Sequence, residues 1–201
     1  MRQAIYNFVE KLFLWRVFTV NPKLREVFSI HSHLTSRERY QLFKLARSKK
    51  QILEIGSYVG ASAACFGAAQ DASEASRIYC IDTWQNDAMT EGKKDTYQEF
   101  LKNTSLYSKW IVPVRGFSTA VVEDVRRQTT TLDLLFIDGD HSYEGAKADW
   151  DSYRSFLKSG SIVVFHDYGW AEGVQRVIEE DAKPVVSSFN NLPNMWWGTI
   201  K

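Results

Sequence analysis

The order of apolar and polar positions predicts an α/β fold for most of the chain. From Gln51 onward, short apolar runs alternate with amphipathic stretches, which is typical of βαβ units around a parallel sheet. The apolar runs are nearly continuous, so we expect helices to cover both faces of that sheet. The predicted strands are 51–55, 77–81, 111–114, 132–137, 161–165, 183–189 and 195–200. The predicted helices are 60–70, 95–103, 119–128, 143–158 and 174–180.

The last two predicted strands are joined by the short linker 190–194. That linker allows an antiparallel hairpin but is too short for a crossover helix. We therefore predict a Rossmann-like, doubly wound and mostly parallel sheet that ends in an antiparallel strand, with further helices before it.

The first 20 residues predict an amphipathic helix. Its apolar face is formed by Ile5, Phe8, Val9, Leu12 and Phe13. Glu10 and Lys11 interrupt the apolar run, which argues against a signal peptide and against a membrane span. We expect the helix to pack on its own domain or on a second copy in a homo-oligomer; a helix on a membrane surface is the alternative.

A second helix is predicted to open at Thr35, which forms a capping-box pattern with Glu38. We accordingly divide the chain into an N-terminal helical extension, residues 1–34, and one α/β domain, residues 35–201.

Composition narrows the class of protein. Hydrophobic residues make up 44% of the 201 residues, which is enough for one core, and the net charge is +1. Acids and bases are spread along the chain without a basic stripe, so we expect a small-molecule partner and no nucleic acid. Cys65 and Cys80 lie in apolar stretches and suggest buried free thiols in a reducing, cytoplasmic setting.

The turn after the first strand, EIGSYVG, is the first candidate binding site. Gly56 and Gly60 permit unusual backbone angles and the close approach of a ligand. The middle glycine of a dinucleotide-binding motif is missing, and Glu54 would repel a phosphate. A carboxylate here suits a ligand with a cationic end, such as the ammonium of a methionine moiety. Ser57 and Ser62 are included in the same candidate site.

The ends of the next two strands add polar groups to this site. Asp82 can accept hydrogen bonds from the hydroxyls of an adenosine ribose, or act as a turn aspartate. Thr83 and Trp84 follow it, and Trp84 either covers the adenine or closes the sheet edge. After the third strand, Ser118 contacts the base, caps the next helix, or does both.

Four motifs together resemble a known family: ILEIGSYVGAS, IDTW, LDLLFIDGDHSYEGAKADW and GSIVVFHDY. They are similar to class I S-adenosylmethionine-dependent methyltransferases, and most of all to the methyltransferase domain 24 family, which is similar to sugar and macrolide O-methyltransferases. The resemblance extends from about Leu34 to the C-terminus. It implies a seven-stranded sheet with an antiparallel last strand and S-adenosyl-L-methionine as the cofactor.

The fourth and fifth strands end in Asp138-Gly139-Asp140-His141 and His166-Asp167. Methyl transfer to a hydroxyl requires an acceptor oxygen that is deprotonated and held in line with the methyl carbon. We interpret Asp138 as a catalytic and cofactor-binding residue. His141 is interpreted as a general base or as a residue that orients the loop, and Asp140 as the N-cap of the next helix.

The resemblance also implies a metal site. Asp138, His166 and Asp167 fall where sugar O-methyltransferases have metal-binding carboxylates, which suggests a divalent cation such as Mg²⁺. The position of His166 is commonly acidic in that group. A histidine there favours a softer transition metal or no metal.

These observations predict an S-adenosylmethionine-dependent O-methyltransferase for a small hydroxylated metabolite or sugar. The alternatives are an NAD(P)-dependent oxidoreductase and a non-catalytic protein that dimerises through its first helix. His31 and His33 either line the acceptor pocket or face solvent. The long segment 85–109, with Asp87 and Met89, is a candidate lid.

Overall fold

The computed structural model describes residues 2–71, 75–85 and 94–201. In this part of the chain the strands are Gln51–Ile55 (β1), Arg77–Asp82 (β2), Ile111–Arg115 (β3), Leu132–Ile137 (β4), Leu157–His166 (β5), Val186–Leu192 (β6) and Met195–Ile200 (β7). The α-helices are Arg2–Val20 (α1), Leu24–Val27 (α2), Ser36–Ala46 (α3), Ala61–Ala69 (α4), Tyr97–Thr104 (α5), Val122–Arg126 (α6), Tyr143–Tyr153 (α7) and Glu172–Val177 (α8).

The seven strands form one sheet in the order β3-β2-β1-β4-β5-β7-β6. Neighbouring strands from β3 to β5 pair in parallel, whereas β7 pairs antiparallel with both β5 and β6. The predicted doubly wound sheet with an antiparallel last strand is confirmed. The strand order reverses between β1 and β4, so a ligand crevice is expected beyond their carboxyl ends.

Two hydrophobic clusters cover the two faces of the sheet. Ile52 of β1 belongs to the cluster built with α1 to α5, whereas Leu53 and Ile55 belong to the cluster built with α6, α7 and α8. This alternation is the two-residue period of a strand that is buried on both sides.

Several predicted boundaries differ from the structure, and 3₁₀ turns account for the differences at α7 and β6. Helix α7 ends at Tyr153 instead of residue 158, because Arg154–Phe156 form a 3₁₀ turn and β5 begins at Leu157. Strand β6 begins at Val186 because Lys183–Val185 form another such turn around Pro184.

Helix α1 ends at Val20 as predicted, but only part of its predicted apolar face packs on the domain. Phe13 packs edge-on against Tyr40, and Val17 is buried. Phe8, Val9 and Leu12 of the predicted face are exposed. No helix in the described ranges is long and apolar enough to cross a bilayer.

Candidate functional site

A cleft of about 800 Å³ opens at the carboxyl ends of the parallel strands. Residues at or just beyond the carboxyl ends of the five parallel strands line it: Gly56, Asp82, Ser118, Asp138 and Asp167. Because parallel strands end on the same side of the sheet, residues far apart in sequence meet here. The structure therefore brings together most of the predicted site residues.

Gly56 is required by the protein backbone around it. It has φ of +86°, and a Cβ atom at this position would lie 1.9 Å from the carbonyl oxygen of Asp138. Any other residue would separate the ends of β1 and β4. Gly56 thus makes room mainly for the neighbouring strand end, whereas we expected it to make room for a ligand.

Glu54 lies beneath the cleft floor and not on its surface. Its side chain is fully buried, and the Ser57 hydroxyl donates a hydrogen bond to Oε2 at 2.7 Å. Burial raises the pKa of this carboxyl to about 7, although hydrogen bonds from serine neighbours lower it. Ser57 and Ser62 themselves line the cleft, so a ligand meets these serines before it meets Glu54.

The Asp82 carboxylate is held by two backbone N–H groups, one in the turn after β1 and one just after β2. Its Oδ2 accepts from the Tyr58 N–H at 2.7 Å and its Oδ1 from the Trp84 N–H at 2.6 Å. A carboxylate has about four lone-pair positions, so it can also accept hydroxyl groups of a ligand. Thr83 lines the cleft beside it.

Trp84 is part of the core, which corrects its interpretation as a cover for an adenine. The indole is fully buried, and its ring centroid lies 4.8 Å from those of Tyr97 and Phe100. Its Nε1–H donates to the Tyr58 carbonyl at 2.9 Å. Trp84 therefore supports the turn that carries Tyr58.

Two predicted helix caps are also corrected. Helix α6 begins after Val121, so Ser118 does not cap it; the Ser118 hydroxyl instead donates to Asp149 Oδ1. Helix α7 is capped by Ser142, which accepts from the Gly145 N–H at 3.1 Å. Asp140 accepts the Ser142 N–H at 2.8 Å and supports that cap from outside.

His166 lies between carboxylates at the end of β5. Its Nδ1 is 3.0 Å from Asp138 Oδ1 and 3.2 Å from Asp167 Oδ2, so this nitrogen carries a proton. Its Nε2 is 3.7 Å from Oε2 of the buried Glu38. Burial lowers the pKa of His166, but the charge of Asp138 and contacts with all three carboxylates raise it to about 12.

In this structure the His166 ring links Asp138 to Asp167 through Nδ1. Its role as a metal ligand stays a prediction. The group of candidate ligands that the structure brings together contains His141 instead, with one atom each of Asp138, His141 and Asp167 within 4.8 Å of one another.

Four side-chain nitrogens surround the Asp167 carboxylate. Oδ2 faces His166 Nδ1 and the His141 Nε2 at 2.8 Å. Oδ1 accepts from the Trp170 indole at 2.7 Å and from the Asn194 amide at 3.1 Å. Burial raises the pKa of Asp167, but the two histidines and Asn194 hold it well below its ordinary value.

His141 is the more accessible of the two histidines at this end of the cleft. Its side chain is 41% exposed, and its ring packs edge-on against Trp170 at 4.9 Å. The hydrogen bond to Asp167 raises the pKa of His141, with partial burial acting in the opposite direction. An imidazole held by a carboxylate through one nitrogen presents the other nitrogen for proton transfer.

His31 and His33 lie on the cleft together with Tyr58. The rings of His31 and His33 are 5.5 Å apart, and the His33 ring is 5.9 Å from that of Tyr58. These three side chains form an aromatic wall of the cleft. Asp87 and Met89, from the predicted lid, lie outside the described residues.

Three side chains of the site were not predicted for it from the sequence. Glu38 was assigned only to a capping box, Asn194 only to the linker of the hairpin, and Asp149 had no assignment. The position of Asn194 at a predicted chain reversal was one available signal, whereas Asp149 lies inside α7 and gave none. Helical spacing shows which face of a helix a residue occupies, but it does not show which loop of the folded protein that residue contacts.

The fold and the cleft define a Rossmann-like α/β protein with a ligand site at the strand switch point. Residues 53–168 match the model of the methyltransferase domain 24 family, described as a methyltransferase domain. This match covers more than half of the chain, and the chain belongs to that family. The match selects a methyltransferase over a nicotinamide-dependent oxidoreductase.

Solved structures share the fold at low sequence identity. One of them is the O-methyltransferase TomG from Streptomyces achromogenes, which is involved in tomaymycin synthesis and was solved in complex with SAM. Its TM-score is 0.72 at 16% sequence identity, and the match covers 100% of this chain and 99% of TomG. An O-methyltransferase from Bacillus cereus in complex with SAH has a TM-score of 0.71 and 14% identity, covering 98% of this chain and 97% of its own.

Curated relatives match shorter segments. The uncharacterized protein y4gI of Sinorhizobium fredii is 31% identical over 121 residues, which is 59% of this chain but 13% of y4gI. The uncharacterized protein R132 of Acanthamoeba polyphaga mimivirus is 43% identical over 37 residues, 18% of this chain and 17% of R132. The chain therefore spans only a small part of the length of these relatives.

Proposed function

We propose that this methyltransferase domain transfers the methyl group of S-adenosylmethionine to a hydroxyl oxygen of a small acceptor. The observation that carries the proposal is the hydrogen-bonded pair of His141 and Asp167, 2.8 Å apart at the edge of the cleft. Structural neighbours described as O-methyltransferases with SAM or SAH support it at the level of the fold.

In this proposal the cofactor lies along the strand ends. Asp82 and Thr83 hold the ribose, and Ser118 lies toward the base. The methionine end reaches the turn of Gly56, where Ser57 and Ser62 relay the charge of Glu54. Asp138 lies at that turn and contacts His166, which supports a role for it between the cofactor and the acceptor.

The proposed chemistry is an in-line displacement. The acceptor oxygen attacks the methyl carbon while its proton passes to His141 Nδ1, since Nε2 is held by Asp167. The bond between carbon and sulfur breaks, its electron pair stays on sulfur, and S-adenosylhomocysteine is formed. The negative Asp167 stabilises the imidazolium that results.

A divalent cation fits this site poorly. Asp138, His141 and Asp167 are the candidate ligands, and a cation there would polarise the acceptor oxygen. However, four side-chain nitrogens already surround the Asp167 carboxylate, which leaves it few lone pairs for a metal ion. We therefore derive the mechanism from the side chains alone.

The test is transfer of a deuterated methyl group from labelled S-adenosylmethionine to metabolites of a cell extract, followed by mass spectrometry. We expect a metabolite that gains one labelled methyl group on oxygen, with and without a chelator. A labelled nitrogen would contradict the acceptor class, and a loss of transfer in EDTA that Mg²⁺ restores would contradict the metal-free mechanism. Binding of S-adenosylhomocysteine without any transfer would favour the non-catalytic alternative.

We also propose that a second copy of the chain covers the exposed side of α1. Phe8, Leu12 and Trp15 are 67%, 54% and 66% exposed and lie along one side of the helix. Large apolar side chains grouped in this way mark an interaction surface more often than a free one.

A further inference from the structure

A buried carboxylate in the cleft wall has no part in the mechanism above. Asp149 lies in α7 and is only 4% exposed, yet it lines the cleft together with Gly145 and Ala148 of the same helix. Burial raises the pKa of Asp149 to about 6, with the Ser118 hydrogen bond acting in the opposite direction. A carboxylate this buried is costly to maintain unless it has partners.

The contacts of Asp149 fix its orientation. Oδ1 accepts the Ser118 hydroxyl, and the Ser118 carbonyl accepts the hydroxyl of the fully buried Tyr153 at 2.7 Å. Oδ2 lies against Gly139, where an added Cβ would be 2.7 Å from it. The carboxylate is thus held between the turn after β3 and the turn after β4.

This position matches the base of the proposed cofactor. With the ribose on Asp82 at the end of β2, the base extends toward the adjacent strand β3 and the wall that carries Ser118. The 6-amino group of adenine donates hydrogen bonds, whereas the 6-oxygen of hypoxanthine or guanine only accepts them. An ionised carboxylate only accepts, so it favours the amino group and repels the oxygen.

We propose that Asp149, oriented by Ser118, accepts a hydrogen bond from the 6-amino group of the cofactor's adenine and selects adenine over 6-oxopurines. This inference rests on the proposed cofactor. Asp149 lies in helix α7, so a helix residue and not a strand-end residue would select the base.

The experiment compares two ligands by calorimetry: S-adenosylhomocysteine and its 6-oxo analogue S-inosylhomocysteine. We expect the wild-type protein to bind the adenine ligand about 10- to 100-fold more tightly, the effect of one buried hydrogen bond that is replaced by repulsion. In Asp149→Asn, the ratio of the affinity for the adenine ligand to the affinity for the 6-oxo ligand should fall toward one or invert. The reason is that the amide can donate a hydrogen bond to the 6-oxygen.

Asp151→Asn is the matched control. Asp151 lies on the same helix, is 43% exposed and pairs with Lys147 and Arg154 at the surface, so the ratio should equal that of the wild type. If Asp149→Asn does not fold, Ser118→Ala replaces it, and a reduced ratio is again expected because the carboxylate loses its orienting donor.

An unchanged ratio in the folded variant overturns the role of Asp149. Equal weakening of both ligands in Asp149→Asn also overturns it, since this would show a structural role without base selection. If the wild-type protein binds neither ligand, the proposed cofactor itself fails, which is a distinct result.

Discussion

At the scale of single residues, the pair of His141 and Asp167 carries the proposed chemistry. Asp167 is buried and is held ionised by its donors, whereas His141 is partly open to the cleft. A carboxylate that keeps its charge can stabilise an imidazolium when His141 accepts a proton. This arrangement gives the two residues different roles although they touch.

Replacing the base should therefore separate binding from turnover. We expect His141→Ala to lower kcat by about 10²- to 10⁴-fold, the usual contribution of a general base. Affinity for S-adenosylhomocysteine should stay within about threefold of the wild type, because His141 faces the acceptor. Steady-state kinetics and calorimetry on the same sample provide the measurement, and an unchanged kcat would remove His141 from the mechanism.

Glu54 has an effect on stability that depends on pH. Its pKa in the folded protein is about 7, against an ordinary value of 4.5, so the folded state binds this proton more tightly than the unfolded state does. The contribution to stability is therefore complete below about pH 4.5 and is lost as the pH rises through 7. The loss is about 3 kcal/mol at full ionisation.

Glu54→Gln should remove this dependence. Without ligand, we expect the variant to gain free energy of unfolding relative to the wild type when the pH is raised from 5 to 8. Urea denaturation of both proteins at the two pH values measures that difference. A difference between the variants that is the same at both pH values would show that Glu54 is not the titrating group.

At the scale of elements, the first turn of α3 is joined to the site. The capping box is present: Thr35 accepts from the Glu38 N–H at 3.3 Å, and Glu38 Oε2 accepts the Thr35 N–H at 2.7 Å. The same Glu38 oxygen faces His166 at 3.7 Å. One carboxylate thus caps the N-terminus of a helix and balances the charge of a buried imidazolium.

These two roles predict unequal losses of stability. Thr35→Ala removes a cap and should cost about 1 kcal/mol. Glu38→Ala removes the cap interaction and one of the negative charges around His166, and should cost more, by about 1–3 kcal/mol. Denaturation curves of both variants test this, and equal losses would show that Glu38 serves the helix alone.

The sequence predicts the elements better than it predicts their contacts. Strands β1, β4 and β7 have the predicted bounds because each is a mostly apolar run that stops at a polar residue or a glycine. The cap of α7 could not be chosen from the sequence, because Asp140 and Ser142 are both good capping residues. The buried face of α1 depends on the contact with Tyr40 of α3, and the periodicity of α1 alone cannot predict that contact.

The candidate site was predictable only where strand ends carry it. Asp82, Asp138 and Asp167 follow strands, and parallel strands end at the same edge. Trp84 and His166 also lie at strand ends, but the sequence does not reveal that Trp84 is buried among aromatic rings and His166 among carboxylates. Glu38 and Asp149 reach the site through helix packing, which depends on the whole fold.

At the scale of the whole molecule, the exposed side of α1 predicts self-association. If a second copy covers it, the wild-type protein should be a dimer by light scattering at micromolar concentration, and Leu12→Glu should be monomeric with an unchanged melting profile of the domain. Lys11→Glu is the control, since it changes charge on the same helix without removing apolar surface. A monomeric wild-type protein would contradict this proposal.

The central claim is that the cleft between β1 and β4 holds an adenosyl cofactor along the strand ends. The most direct measurement is a crystal structure of the protein with S-adenosylhomocysteine. We predict the ribose hydroxyls within hydrogen-bonding distance of Asp82, the methionine end at the Gly56 turn, and the base next to Ser118. Ligand density elsewhere on the protein, or a cleft that stays without ligand at saturating concentration, would contradict the account.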